Sequence, residues 1–167
     1  MTSVNKVIIS LLVVNLIATV WFGLTPAQNS SSQLPMTESV KKHELPNVIS
    51  SSVKAELLNT FISHYNNQDY SSLYNMFGPV AQSQLSEEQM LIEFKKMTKF
   101  FGNVESGSFK FAEFSSQHGS SLVYVLNYNL RLSDKSEFGE NGDLKITIAV
   151  EGDDFQVYGI RLNGGMN

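Results

Sequence analysis

"LVYVLNYNLRL", residues 122–132, alternates from end to end. Leu122, Tyr124, Leu126, Tyr128, Leu130 and Leu132 fall on one side of an extended chain, and Val123, Val125, Asn127, Asn129 and Arg131 on the other. A period of two in aliphatic and aromatic residues predicts a strand with one face on a core and a mixed face turned away from it. Three neighbours repeat the pattern: "FKFAEF" (109–114), "LKITIAV" (144–150) and "FQVYGIRL" (155–162). In the third strand Leu144, Ile146, Ile148 and Val150 point inward, and Lys145, Thr147 and Glu151 outward. His118-Gly119, Asn141-Gly142 and Gly152-Asp153-Asp154 are expected to form the tight turns of an antiparallel meander.

Upstream of Gly102 the period is 3.6. Val53, Leu57, Leu58, Phe61, Ile62 and Tyr65 make one helical stripe. Asn66-Asn67-Gln68 leaves that helix and Asp69 caps the next, whose apolar positions are Tyr70, Leu73, Tyr74 and Phe77. Gly78-Pro79 is expected to end it. Ser86 with Gln89 forms a capping box for a third helix, with Met90, Leu91, Phe94, Met97 and Phe101 buried and Gly102-Asn103 closing it. Methionine and phenylalanine at this spacing read as core. The expected fold is α+β: three N-terminal helices packed on a curved four-stranded antiparallel sheet, together a cone, preceded by one N-terminal transmembrane or signal helix.

That leading segment is "VIISLLVVNLIATVWFGL", residues 7–24, uncharged throughout. As a helix it would be roughly 27 Å long, close to the roughly 30 Å of a hydrocarbon core. Lys6 precedes it and the next cation is Lys41, a bias that keeps the N-terminus in the cytoplasm. Thr25-Pro26-Ala27 supplies small residues for a signal peptidase, so a retained anchor and a segment cleaved near Ala27 both stand. Either way the domain lies across a membrane: at the bacterial inner membrane facing the periplasm, or soluble in the periplasm after cleavage. Residues 25–48, with three prolines and a Ser-Asn-Gln run, are expected to be a flexible tether, and residues 49–167 the domain.

Composition narrows the chemistry. Twelve Lys and Arg against 16 Asp and Glu give a net charge of −4 without a basic stripe, which argues against nucleic acid as a partner. The absence of cysteine excludes disulfides, thiolate zinc sites and a cysteine nucleophile. His43, His64 and His118 show no paired spacing, so neither a metal nor another cofactor is expected.

The helix order and the corner "NNQDYSSLYNMF" (66–77), followed by "LSEEQMLIEF" (85–94), resemble the nuclear transport factor two-like (cystatin-like, ketosteroid-isomerase-like) superfamily, in particular its small bacterial branches of unknown function. The resemblance covers about two thirds of the chain, residues 53–162, and the superfamily hosts enzymes, binding modules and assembly domains. Its ketosteroid isomerases place an oxyanion-donating Tyr where this chain has Phe61 and an Asp base where it has Leu85, so that activity is not carried over. Its epoxide hydrolases use an Asp-Arg-Asp group, whereas Arg131 and Arg161 here sit on solvent-facing or partner-facing alternations. Its dehydratases pair His with Asp, which singles out His64 at the edge of the first helical stripe, although no acid is placed by the sequence to orient it.

No residue is assigned as catalytic. Glu113 shares the alternation of Phe109 and Phe111, so it is either a carboxylate facing the cone or the mark of a bulge. Tyr65, Tyr74, Tyr124 and Tyr128, with Leu126, either line a pocket for a small apolar ligand or fill it. Asn127, Asn129, Arg131, Thr147 and Tyr158 suit the sheet-to-sheet homodimer that the resemblance implies.

The leading expectation is a membrane-tethered or secreted extracytoplasmic module without catalytic activity, binding a small ligand or a protein. The alternatives are a small-molecule lyase, hydrolase or isomerase using His64 or Glu113, and an envelope-assembly domain.

Overall fold

In the computed structural model, which describes residues 44–165, helices come first and strands follow. Helix α1, Ser51–Asn66, begins at Ser50, whose hydroxyl accepts the Val53 N–H, and it buries Leu58, Phe61 and Tyr65. Helix α2, Tyr70–Asn75, is capped by Asp69, whose carboxylate accepts the Ser72 N–H at 3.2 Å. The helix ends at Asn75, before the expected stop at Gly78-Pro79, and Pro79 instead opens a short helix α3, Pro79–Gln82. A proline at the first helical position loses no hydrogen bond, so the three expected helices become four. Helix α4, Glu87–Phe101, has Ser86 accepting the Gln89 N–H and buries Phe94 and Phe101.

Gly102 follows α4 with φ +63° and ψ −150°, a backbone that only glycine adopts readily. It releases the chain into β1, Val104–His118. Strands β2, Ser121–Leu132, β3, Asn141–Glu151, and β4, Asp154–Gly164, complete one antiparallel sheet in the order β1-β2-β3-β4. The fold is α+β, a four-stranded antiparallel sheet preceded by helices. Two-residue loops with Gly119 and Gly152 at positive φ join β1 to β2 and β3 to β4.

The expected turn at Asn141-Gly142 is absent. Both residues pair within β3, opposite Arg131 and Leu130. The connection is instead the longer segment 133–140, which carries Phe138 onto Phe101 with ring centroids 4.7 Å apart. Burial of that ring against the end of α4 offers more than a tight turn would, since a stacked aromatic pair adds to the area it buries.

All the helices share one side of the sheet. Tyr124, Leu126, Tyr128, Leu130 and Leu132 of β2 and Leu144, Ile146, Ile148 and Val150 of β3 form one core cluster with Leu58, Phe61, Leu73 and Phe94. The expected start of the domain moves toward the N-terminus. Ile49 is buried, Leu45 and Val48 pack on the same cluster, and the Tyr124 hydroxyl donates to the Glu44 carbonyl, so residues 44–48 are part of the fold rather than tether. The apolar segment 7–24 and most of the tether lie outside the described residues. No helix among the described residues is long and apolar enough to cross a membrane.

Candidate functional site

The corner that breaks the first helix is built by backbone hydrogen bonds. Gln68 N–H donates to the Tyr65 carbonyl and Asp69 N–H to the His64 carbonyl, with Gln68 at φ +55°. This is a Schellman closure with glutamine where glycine is usual. It turns the chain back so that the Asp69 carboxylate lies 3.3 Å from His64 Nδ1. Sequence reasoning missed this partner, because Asp69 is five residues from His64 and only the left-handed Gln68 brings it round. Hydrogen bonds from Ser72, with a smaller contribution from His64, hold the Asp69 carboxyl below its ordinary range. Both side chains are partly open to solvent, 32% for His64 and 46% for Asp69.

Asn66, at the helix exit and the head of the corner, also fastens α1 to the sheet. Its amide donates to the Val104 carbonyl and accepts the Val104 N–H, both at 2.8 Å. The end of α1 therefore pairs with the start of β1 as another strand would.

Between helices and sheet Tyr65 and Tyr124 fill the interior, and Tyr128 both fills it and borders the groove between α1 and β1. Tyr65, Tyr124, Tyr128 and Leu126 are almost wholly buried. Tyr124 donates to the Glu44 carbonyl at 2.9 Å and Tyr128 to the Lys54 carbonyl at 3.1 Å. Tyr74, half-buried, donates to the Gln82 and Leu85 carbonyls. Tyr65 stacks on Phe61 at 5.2 Å, and its hydroxyl has no hydrogen-bond partner among the described residues. Burial pushes all three buried phenols above their ordinary range, with Tyr70 adding to the effect at Tyr65.

Glu113 does not face the helices. The β1 to β2 register slips between Phe109 and Phe111 and again between Phe114 and Ser116, so Lys110 and Ser115 are extra residues. The first slip puts Phe109, Ala112 and Phe114 opposite Tyr128, Leu126 and Tyr124 on the helix side. Phe111 and Glu113 stand opposite Asn127 and Val125 on the outer face. Glu113 is exposed there, so of its two readings the register supports the bulge and not a carboxylate facing the cone.

The expected interface residues, Asn127, Asn129, Arg131, Thr147 and Tyr158, lie on or beside the outer face. Val125 pairs with Thr147, Asn127 with Lys145, and Lys145 with Arg161. Asn127 is 6% exposed, its amide donating to the Val125 carbonyl. Asn129 is exposed, and Arg131 reaches Glu105 at 3.1 Å and Glu140 at 3.4 Å. Tyr158 is the extra residue of a bulge between Thr147 and Ile148 partners, and is half-buried. Phe111, 45% exposed, stands on edge strand β1 opposite Asn127, while the half-buried Val125 and Thr147 and the buried Val123 and Ala149 pair across β2 and β3. The face is apolar in the middle, with Glu113 toward β1 and Lys145 and Arg161 toward β4.

Two open grooves mark the helix side among the described residues. One, about 370 Å³, lies between Gln68, Tyr70 and the Lys95, Thr98 and Lys99 face of α4; neither His64 nor Asp69 lines it. The other, about 310 Å³, lies between α1 and β1 and includes Tyr128. No group of three or more His, Asp or Glu among the described residues is arranged to hold a metal ion.

Residues 59–154 match the model of a family described as a protein of unknown function (DUF3887). The chain belongs to that family. The DUF3887 match covers more than half of the chain, from the middle of α1 to the start of β4, and so includes the corner, the bulged edge strand β1 and the outer face of β1 to β3. No curated protein matches the chain.

Proposed function

We infer that this DUF3887 chain is a non-catalytic protein-interaction module of the nuclear transport factor two-like type. It is held on the outer side of a membrane by residues 7–24, and the outer face of its sheet is the working surface. The observation that carries this reading is the division of the two faces. The interior, where a member of this superfamily would take a small ligand, is occupied by Tyr65, Tyr124, Tyr128 and Leu126, with two of the three hydroxyls tied to main-chain carbonyls. The outer face keeps an apolar middle at Val123, Val125, Thr147 and Ala149, with the exposed Phe111 on edge strand β1.

The first partner is a second copy. Under a two-fold axis parallel to the strands, β1 of one copy lies over β4 of the other, and because Glu113, Val125, Thr147 and Gly159 share one row of the sheet, Val125 and Thr147 come near the axis. Apolar residues at the centre with polar and charged residues at the rim are the arrangement of a protein interface. A catalytic reading centred on His64 and Asp69 is less well supported. Their pairing already serves to close the corner, and neither residue lines either groove.

The chain has no cysteine, so a single introduced thiol reports without background. Full-length Thr147→Cys, oxidised in its native membranes, is expected to yield a disulfide-linked homodimer, whereas Ile92→Cys on the exposed face of α4 is not. Equal cross-linking of both, or none for Thr147→Cys, would overturn the assignment of the outer face.

A further inference from the structure

The groove between α1 and β1 is lined by Lys54, Ala55 and Leu58 from the helix and by Gly107 and Phe109 from the strand, with Tyr128 behind. A Cβ on Gly107 would come within 2.7 Å of Leu130 Cδ2 and 3.1 Å of Leu58 Cδ1, so α1 and β1 meet closely at that point. Phe109 is on the helix side of the sheet yet stays 37% exposed, its ring set edge-on to the buried Tyr128 at 5.6 Å. Lys54 Nζ lies 4.7 Å from the centre of that ring. Among the described residues no carboxylate pairs with Lys54. An ammonium over an aromatic ring keeps its N–H donors free for an anion. The groove thus joins an apolar floor to one uncompensated cation.

We propose that this groove binds a small alkyl carboxylate, the carboxylate on the Lys54 ammonium and the chain along Phe109 and Tyr128. Apolar surface alone would accept any hydrocarbon. The single cation selects a single negative head, and its place above Phe109 puts head and chain at the same end of the groove. The groove, about 310 Å³ and open to solvent, takes a short chain, and octanoate is the probe of that class. The site is on the helix side of the sheet, so its success or failure is separate from that of the outer-face pairing.

The test is a titration of the ¹⁵N-labelled full-length protein with sodium octanoate, followed by amide shifts. Saturating shifts are expected at Ala55, Asn59, Gly107 and Ser108. Lys54→Ala is expected to weaken binding about fivefold, Lys54→Arg to restore it, and uncharged octanol to bind more weakly to the native protein by a similar factor. The proposal is overturned if no shift saturates by about 10 mM. It is equally overturned if the shifts centre on Lys95 and Lys99, if octanol binds as well as octanoate, or if Lys54→Ala binds unchanged. The native titration and the arginine variant keep the outcome decisive should the alanine variant fold poorly.

Discussion

Replacing Asn66 by alanine tests how the helical layer is fastened to the sheet. Val104, the first residue of β1, is 1% exposed, and its N–H and carbonyl are both satisfied by the Asn66 amide at 2.8 Å. Asn66→Ala leaves a donor and an acceptor where water has little access. Each unmet group costs about 1 to 3 kcal/mol, and the better helix propensity of alanine returns about 0.5 kcal/mol. The expected loss is about 1.5 to 5.5 kcal/mol. With roughly 120 ordered residues and an unfolding entropy of about 2 cal/mol/K per residue, that lowers Tm by about 6 to 23 °C. Urea unfolding of the full-length protein followed by far-UV circular dichroism should show a lower midpoint at unchanged slope. Asn66→Asp, which keeps the acceptor but turns an oxygen toward the Val104 carbonyl, should also be destabilised. Asn67→Ala, at the exposed neighbouring position, should not be. A loss below about 0.5 kcal/mol for Asn66→Ala, or an equal loss for Asn67→Ala, would refute the view that this side chain joins α1 to β1.

Three further outcomes follow from the same geometry. Tyr65→Phe removes a buried hydroxyl with no partner among the described residues, so thermal stability should hold or rise by up to about 1 kcal/mol; a comparable loss would mean that the hydroxyl is bonded. Leu126→Trp overfills a position at 0% exposure and should cost about 1 to 3 kcal/mol in urea unfolding; a variant as stable as the native protein would mean that the interior has room for a ligand. Asp69 titrates below its ordinary 3.8 in the folded protein, chiefly because of Ser72. Its contribution is therefore complete above that value and is lost as pH falls through the lower, folded value. The stability gap between native protein and Asp69→Asn should close on acidification below about pH 4, and parallel pH curves would contradict the capping role.

Much of the fold is legible where one signal dominates. The alternation in 122–132 and 144–150 marks the buried face of β2 and β3 correctly, because both strands are central in the sheet and any slip would expose a whole row of Leu, Ile and Tyr. The caps at Asp69 and Ser86 are readable for a similar reason, since a short polar side chain meets a local need of the helix end. The edge strand is harder. Lys110 and Ser115 carry no glycine or proline to announce a bulge, and one slip was enough to reverse the side to which Glu113 points. Gln68 hides the corner in the same way, because glutamine seldom takes positive φ and no residue-type signal says that it does so here. The pocket question turned on hydroxyl partners. Tyr124 and Tyr128 donate to carbonyls 80 and 74 residues earlier in the chain, contacts that no local pattern encodes.

The most direct test of the outer face as the working surface is native mass spectrometry of the full-length protein beside Val125→Lys. Val125 lies opposite Glu113 on one side and Thr147 on the other, so a lysine there gains an acidic neighbour within its own chain. Near a two-fold axis the same substitution sets two cations against each other across the interface. A dimer for the native protein and a folded monomer for Val125→Lys is the expected result. A native monomer, or a dimer that survives the substitution intact, would contradict it.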